Sequence, residues 1–165
     1  MPEINLLDFY PKVKRDLEHR AEVSAENRAI AKQFGKEFFD GTRDQGYGGY
    51  RYDGRWVPIV KRMIEHYSLP KNARILDVGC AKGFMLHDFK AALPESQIAG
   101  IDISEYAIDN ALEDVKEFVQ VADCRSLPYD DHSFDLVISI TTVHNVVLDE
   151  CKKALKEIWA LFCLT

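Results

Sequence analysis

The segment "RILDVGCAKGF", residues 74–84, decides how this chain folds. Its first residues are mostly apolar, which predicts a short buried strand. A carboxylate, Asp77, then precedes two glycines four residues apart, Gly79 and Gly83. Glycine permits backbone angles that are closed to other residues and lets a ligand approach the main chain closely. The segment therefore predicts a strand that ends in a tight turn, where a ligand could bind.

Strand and helix patterns alternate after this segment. The predicted strands are 73–79, 97–103, 117–123 and 134–140, and the predicted helices are 84–93, 104–113 and 148–160. Ser104 is the predicted N-cap of its helix. Strands and helices that alternate at this spacing form β-α-β units, which build a parallel sheet with helices on both faces. The fold class is therefore α/β, of the Rossmann-like kind.

The residues before this segment have a different character. From Pro11 to Phe39 apolar residues recur every four positions, which predicts one long or two successive amphipathic helices. Residues 41–56 contain five glycines and predict a loop, and a further helix is predicted from Pro58 to Pro70. We therefore divide the chain into an N-terminal helical extension with a glycine- and tyrosine-rich loop, 1–55, and a core, 56–165.

Charge and hydropathy narrow the class of function. The net charge is −6, with 12 Lys/Arg against 11 Asp/Glu in residues 1–66 and 9 against 16 in residues 67–165. An acidic core argues against binding to nucleic acid or to an anionic membrane, since both need clustered positive charge. The sequence shows no run of 18 apolar residues and no secretory signal pattern. We therefore expect a cytoplasmic protein with a small-molecule substrate.

The four cysteines predict neither a metal site nor a disulfide framework. They are Cys80, Cys124, Cys151 and Cys163, with no C-x-x-C pair and no histidine at metal-ligand spacing. We expect them to be small apolar fillers in a reducing compartment.

Two further carboxylates end the second and third predicted strands. Asp102 follows the glycine turn by about twenty residues, where an acid can accept hydrogen bonds from ribose hydroxyls. Asp123 ends the third strand. Ligands bind beyond the carboxyl ends of the strands in open parallel sheets, so these acids and the turn predict a slot for a nucleoside. The alternative is that the glycines serve only the strand-to-helix turn.

Taken together, these segments resemble the class I S-adenosylmethionine-dependent methyltransferases, over residues 56–158. That family carries a D/E-x-G-x-G-x-G turn, which here reads Asp77-Val-Gly79-Cys80-Ala81-Lys-Gly83. The resemblance implies that this turn contacts the methionine part of the cofactor. Ala81 stands where the family has its middle glycine and adds one methyl group near the ligand.

The same resemblance assigns the adenosine contacts. It implies that Asp102 holds the ribose, that Ile103 packs near the adenine, and that Asp123 accepts from the adenine amino group beside the Cys124 backbone. The cofactor would be S-adenosylmethionine, with S-adenosylhomocysteine as the product. A dinucleotide-dependent oxidoreductase is the nearest rival, but it needs G-x-G-x-x-G, which the turn does not supply. A cofactor-binding module without catalytic activity, acting through association, stays open as an alternative.

The loop after the fourth strand is the place to look for a catalytic base. His144 is its only histidine, and the ordinary histidine pKa suits proton removal from a hydroxyl or ammonium. We expect His144 to contact the acceptor, with capping or packing of the turn as the alternative. Lys82, inside the glycine turn, is expected to point into solvent.

The glycine- and tyrosine-rich loop is a candidate lid. Tyr47, Tyr50, Arg55 and Trp56 stand on it, just before the core. Aromatic rings could pack on a sulfonium, and arginine could pair with a carboxylate. The alternative is a linker whose aromatic side chains only pack on the core.

The C-terminal end departs from the resemblance. The family sheet has seven strands, whereas only four are predicted here, in the order 3-2-1-4, and the residues after the helix 148–160 lack a turn that would start a fifth. The fourth strand would then be an exposed edge, which invites pairing with another chain. We expect either a truncated or altered C-terminus or a homo-oligomer in which a second copy completes the domain.

Overall fold

A four-stranded parallel sheet forms the centre of the molecule, in a computed structural model that describes residues 4–12, 18 and 22–162. The strands are β1 (Arg74–Val78), β2 (Gln97–Asp102), β3 (Val119–Val121) and β4 (Leu136–Ile138). Their order in the sheet is β3-β2-β1-β4, which confirms the predicted topology. Asp77 of β1 lies between Gly100 of β2 and Ile138 of β4.

Helices connect these strands and precede them. They are α1 (Ala25–Ala31), α2 (Lys36–Asp40), α3 (Val57–Tyr67), α4 (Phe84–Ala92), α5 (Glu105–Asp109) and α6 (Leu148–Ala160), with 3-10 turns at Lys116–Phe118 and Val143–Asn145. Among the described residues no helix has the length and apolar character needed to cross a bilayer.

The two faces of the sheet are covered by different helices. Ile75 of β1 belongs to a core cluster with side chains of α3 and α4, including Ile59 and Phe89. Leu76, the next residue of β1, belongs to a cluster on the opposite face with Ala154 of α6. Because successive side chains of a strand point to opposite faces, this alternation confirms helices on both faces of the sheet.

The N-terminal extension forms two short helices in its described part. Ser24 caps α1, where its hydroxyl accepts the Asn27 N–H at 3.1 Å. The chain turns between α1 and α2 at Phe34, whose φ of 51° lies in the left-handed region, and at Gly35. Val13, Leu17 and Ala21, on which the prediction of an earlier helix also rested, lie outside the described residues.

Local hydrogen bonds explain why some elements are shorter than predicted. Ser104 caps α5 as expected, since its hydroxyl accepts the Ala107 N–H at 3.0 Å. The helix ends at Asp109, and the Leu112 N–H donates to the Lys82 carbonyl at 3.1 Å. The chain therefore returns toward the glycine turn instead of continuing the helix to residue 113.

The residues after α6 lie beside the segment that leads into β4. Phe162 forms a parallel bridge with Phe134, just before β4, and the Leu161 carbonyl accepts the Phe134 N–H at 3.1 Å. The chain therefore turns after α6 and approaches the start of β4, but the described residues form no fifth strand, as predicted. Cys163 and the two residues after it lie outside the described residues.

Candidate functional site

The turn after β1 is held against β2 and against the loop that follows β4. The Ile101 carbonyl accepts the Gly79 N–H at 2.7 Å and the Cys80 N–H at 2.9 Å. Gly79 has a φ of 88°, and a Cβ built on it would lie 1.9 Å from the Thr142 Oγ1. Glycine is thus required here by both the backbone angle and the approach of the protein's own Thr142.

Two further residues of the turn also have left-handed backbone angles. Gly83, with a φ of 74°, leads into α4, and a Cβ on it would lie 2.7 Å from Val115 Cγ2. Ala81 also has a positive φ, 50°, although it carries a side chain. The Ala81 methyl group is buried in a cluster with Phe39 and Ala107, so it packs against the N-terminal extension.

Asp102 joins the glycine turn to the end of β2. One carboxylate oxygen accepts the Ala81 N–H at 2.8 Å, and the other accepts the Ser104 N–H at 2.9 Å. Burial raises the pKa of Asp102, while hydrogen bonds from the Ser104, Ala81 and Ile103 N–H groups lower it. A carboxylate offers about four acceptor positions. Asp102 is therefore fixed in orientation with capacity left for donors from a ligand.

Asp77 is a buried carboxylate without a donor among the described residues. Burial first, and then the charge of Asp102, raises the pKa of Asp77 to about 7. Buried charges in proteins are normally paired or hydrogen-bonded. The Asp77 carboxylate therefore lacks a partner, and a cationic or hydrogen-bond-donating group of a ligand would supply one.

The predicted adenosine side contains an ion pair that the sequence did not indicate. The Arg125 Nε lies 2.9 Å from both carboxylate oxygens of Asp123, and this guanidinium holds the pKa of Asp123 below its usual range. The Arg125 Nη1 also contacts Glu150 of α6 at 2.7 Å. Cys124 is buried beside this pair in the core cluster under α6.

Ile103 is exposed at the end of β2, beside a cavity. This cavity has a volume of about 340 Å³ and lies between residues 33–35 and residues 103–106. A larger cavity, of about 440 Å³, is lined by α3 and the C-terminal half of α4 and does not include any of the predicted site residues. The smaller cavity is therefore the one that adjoins the predicted adenosine contacts.

Two of the four predicted lid residues contact the glycine turn. The rings of Tyr47 and Tyr50 lie 4.4 Å apart, in the cluster that buries Ala81, and Tyr50 stacks on Phe84 at 4.7 Å. The Tyr47 hydroxyl is within hydrogen-bonding reach of Thr141. Burial raises the pKa of both tyrosines, so both are neutral.

The other two predicted lid residues lie elsewhere. Trp56 is buried in the core cluster with α3, behind Tyr50, and its indole is within hydrogen-bonding reach of the Tyr50 hydroxyl. The Arg55 guanidinium pairs with Asp53 at 2.6 Å and donates to the Tyr10 hydroxyl at 3.2 Å. The structure therefore places Trp56 as a support for Tyr50, and Arg55 in a local ion pair.

The expectation that Lys82 points into solvent is wrong. Lys82 is buried, and its Nζ lies 2.6 Å from Asp40 and 3.2 Å from the Tyr50 carbonyl. Asp40 also accepts from the Tyr106 hydroxyl at 2.7 Å. The ion pair therefore fastens the N-terminal extension to the glycine turn. A lysine inside the turn was its only sequence signal.

His144 lies in the 3-10 turn Val143–Asn145 and is exposed. It follows Thr142, whose side chain contacts Gly79, by two residues. The loop after β4 is thus beside the glycine turn, as predicted. Contact of His144 with an acceptor stays a prediction.

This geometry can be compared with known proteins. The family model described as "Methyltransferase domain" matches residues 76–162, which include the glycine turn, both later acids and α6. The chain belongs to this methyltransferase domain family. Its sheet order and glycine turn are those of the class I S-adenosylmethionine-dependent methyltransferases, which confirms the resemblance.

Individual methyltransferases are similar over parts of the chain. It is 41% identical over 68 residues to malonyl-[acyl-carrier protein] O-methyltransferase of Hahella chejuensis, covering 39% of this chain and 24% of that protein. It is 33% identical over 130 residues to phosphoethanolamine N-methyltransferase 1 of Arabidopsis thaliana, covering 67% and 25%. The chain therefore spans about a quarter of the length of these relatives.

A solved structure shows the same fold. CalS10 from Micromonospora echinaspora, an amino pentose methyltransferase with its cofactor bound, superposes with a TM-score of 0.57 at 22% identity. The match covers 66% of this chain and 47% of that one. At this identity the likeness bears on the fold of the methyltransferase domain.

Proposed function

We propose that this domain binds S-adenosylmethionine at the carboxyl ends of β1 to β3 and transfers its methyl group to a small-molecule acceptor. The observation that carries the proposal is the Asp102 carboxylate, which Ala81 and Ser104 hold at the glycine turn. Its remaining acceptor capacity suits a ribose hydroxyl. The match to the methyltransferase domain family supports the same assignment.

The residues present fit the cofactor on both sides of Asp102. Asp77 is a buried carboxylate that lacks a protein donor, and it would accept from the ammonium of the methionine part. Ile103 would pack on the adenine beside the 340 Å³ cavity, whereas both oxygens of Asp123 already accept from Arg125. When bound, S-adenosylmethionine supplies a methyl group on a sulfonium, which is a good leaving group.

The protein's part in such a transfer is mainly alignment. Holding an acceptor in line can contribute about 7–11 kcal/mol in favourable intramolecular reactions, so a base is not essential. We propose that His144 contacts the acceptor and removes its proton where one must leave. His144→Gln should then lower turnover across about pH 6 to 9, whereas His66→Gln, on the surface of α3, should not. Unchanged turnover in His144→Gln would end the base role.

We further propose that Tyr47 and Tyr50 cover the cofactor. Both rings lie against the glycine turn, and Lys82 fixes the same segment through Asp40. Cofactor should therefore protect residues 41–55 from limited proteolysis. Cleavage at an unchanged rate would rule out the covering role while leaving cofactor binding untouched.

Calorimetry with S-adenosylhomocysteine tests the binding site. Asp102→Asn should weaken binding, because one oxygen becomes a donor that cannot accept from ribose. Asp109→Asn, an exposed position on α5, is the matched control and should bind normally. Absence of binding by the unmodified chain would overturn the proposal.

A methyl-release assay on a panel of small acceptors tests the transfer itself. Release that depends on one acceptor would identify the substrate class. Binding without release on any acceptor would instead favour the alternative, a cofactor-binding module that acts through association.

We also propose a cytoplasmic location. Cys80, Cys124 and Cys151 are free thiols, as a reducing compartment would keep them. Fractionation of cells that express the chain would test this, and recovery with membranes would contradict it.

A further inference from the structure

The loop 41–55 is fastened to α4 through Tyr52. The Tyr52 hydroxyl donates to the Asp88 Oδ1 at 2.5 Å. The Tyr52 ring also packs edge-on against Phe84 and His87, with ring centroids 5.7 Å and 4.8 Å away. Phe84 stacks in addition on Tyr50, which lies against the glycine turn. The segment that carries Tyr50 is therefore attached to α4 by a hydrogen bond as well as by ring packing.

Asp88 is a buried acid with few partners for its charge. It is only 4% exposed, and its Oδ2 is buried without a hydrogen-bond partner among the described residues. Buried carboxyl groups without partners favour the protonated form. Burial raises the pKa of Asp88, whereas the Tyr52 hydrogen bond and then the charge of His87 lower it. The Tyr52 hydroxyl is therefore the main protein group that stabilises the charged form of Asp88.

Charged groups from several elements surround this pair. They are Lys61 and Glu65 of α3, His87 of α4 with its partner Asp114, and Asp53 with its partner Arg55. Lys61 and Glu65 are exposed, although they line the same cavity as Asp88. Histidine is the side-chain type that ordinarily changes its charge near neutral pH. A test of this pair must therefore separate a proton on Asp88 from a proton on His87.

We propose that Tyr52 and Asp88 form a latch, which holds the loop 41–55 on α4 while Asp88 is charged and loosens when Asp88 takes up a proton. The hydrogen bond to the carboxylate is charge-assisted, and such bonds are roughly twice as strong as neutral ones. The carboxylate in turn raises the pKa of Tyr52 to about 12, so the donor keeps its proton at neutral pH. The latch is therefore weaker in acid than at neutral pH. Its effect on the cofactor rests on the proposed function, in which this loop covers the cofactor.

Hydrogen exchange of the Tyr50 amide, from about pH 4 to about pH 8, tests the latch without cofactor. This N–H donates to the Asp40 carboxylate at 3.1 Å, so its exchange reports detachment of the loop. Tyr52→Phe keeps the ring and removes the hydroxyl. It should accelerate exchange by about tenfold above the Asp88 titration, which carboxyl-carbon NMR measures, and by less than about threefold below it. An unchanged rate, or the same acceleration at every pH, would overturn the proposal.

Matched variants assign the titrating group. Asp88→Asn keeps an acceptor for Tyr52 without a charge, so Tyr52→Phe in that background should accelerate exchange by less than about threefold at every pH. His87→Gln should leave the pH profile of the Tyr52→Phe effect unchanged. Tyr67→Phe, at a 49% exposed tyrosine of α3, is the control for loss of a hydroxyl and should not alter exchange. Circular dichroism would confirm that each variant folds. A profile that survives Asp88→Asn and disappears in His87→Gln would contradict the proposal.

Calorimetry with S-adenosylhomocysteine tests whether the latch acts on the cofactor. Tyr52→Phe should weaken binding above the Asp88 titration and have little effect below it. Because the variant and the unmodified chain are compared at the same pH, the titration of Asp77 cancels. Equal binding by the two chains, although the Tyr50 amide exchanges faster in the variant, would refute control of the cofactor by the latch. Absence of binding by the unmodified chain would instead overturn the proposed function, and the exchange experiment would still decide the latch.

Discussion

Asp77→Asn should stabilise the folded protein at neutral and alkaline pH. The Asp77 carboxylate is buried beside Asp102, and none of the described residues donates a hydrogen bond to it. Burial, and then the charge of Asp102, raises its pKa from 3.8 to about 7. Asparagine has nearly the same shape and does not ionise, so the substitution removes the buried charge while keeping the side-chain volume.

The magnitude follows from the two pKa values. Well below pH 3.8 both the folded and the unfolded chain hold the proton, and the carboxyl has no effect on stability. As the pH rises, the unfolded chain loses its proton first, so stability falls until the pH passes the folded-state pKa of about 7. At 1.36 kcal/mol per pKa unit the loss is at most about 4 kcal/mol, of which roughly 2.5 kcal/mol falls between pH 5 and pH 8.

Urea unfolding at about pH 5 and about pH 8, followed by the fluorescence of buried Trp56, measures this loss. The free energy of unfolding of Asp77→Asn, relative to the unmodified chain, should increase by roughly 2.5 kcal/mol between these conditions. Burying the amide has a cost that is the same at both pH values, so it cancels. Asp109→Asn is the control. If the difference changed by less than about 0.5 kcal/mol, the buried-charge explanation of Asp77 would be refuted.

The same carboxylate should link cofactor binding to protons. We expect the ammonium of the methionine part to favour the charged form of Asp77, so binding near pH 6 should release a proton. Calorimetry with S-adenosylhomocysteine in buffers of different ionisation enthalpy would measure this release. Asp77→Asn should bind more weakly and release none, and an equal release from the variant would assign the proton to another group.

Three further predictions concern the glycine turn, and urea unfolding measures each. Gly79→Ala should destabilise by about 2–5 kcal/mol, because its φ is positive and Thr142 occupies the space that a Cβ needs. Ala81→Gly should change the free energy of unfolding by less than about 0.5 kcal/mol. Glycine relieves the strain of the left-handed angle, which stabilises the fold. The loss of a buried methyl group and the greater entropy of the unfolded chain offset this gain. Asp40→Asn should lower the free energy of unfolding by about 2–3 kcal/mol, because it leaves the buried Lys82 ammonium without its counter-charge. Lys82→Met should lower it by only about 1–2 kcal/mol, because the Asp40 carboxylate that remains is more exposed. Equal losses in these last two variants would contradict that reasoning.

The sheet order and the acids at the strand ends could be predicted because their signals are local. The run before Asp77 indicates a strand by itself, and the alternation of strands with helices fixes a parallel sheet. The position of Asp102 beside the glycine turn could be predicted because the carboxyl ends of parallel strands meet at one edge of a sheet. These rules need no knowledge of which side chains touch.

The residues that sequence reasoning missed depend on contacts between distant segments. Lys82 pairs with Asp40, which is 42 residues earlier, and no spacing rule connects the two positions. Trp56 is only six residues from Tyr50 in the sequence, but it lies at the N-terminal end of α3 and is therefore buried in the core. Arg125 is only two residues from Asp123, but the sequence does not indicate which carboxylate an arginine in a loop will bind.

We expect the glycines and the acids of this turn to have different roles. The space that glycine leaves is filled by the protein itself, by Thr142 at Gly79 and by Val115 at Gly83. The glycine pattern therefore sets the path of the backbone, and we expect ligand recognition to depend on the groups that this path presents, above all Asp77 and Asp102. Substitutions at the glycines should then lower stability, whereas Asp77→Asn should weaken cofactor binding although it stabilises the fold at neutral pH. A glycine variant that kept full stability and lost binding would show that this division is wrong.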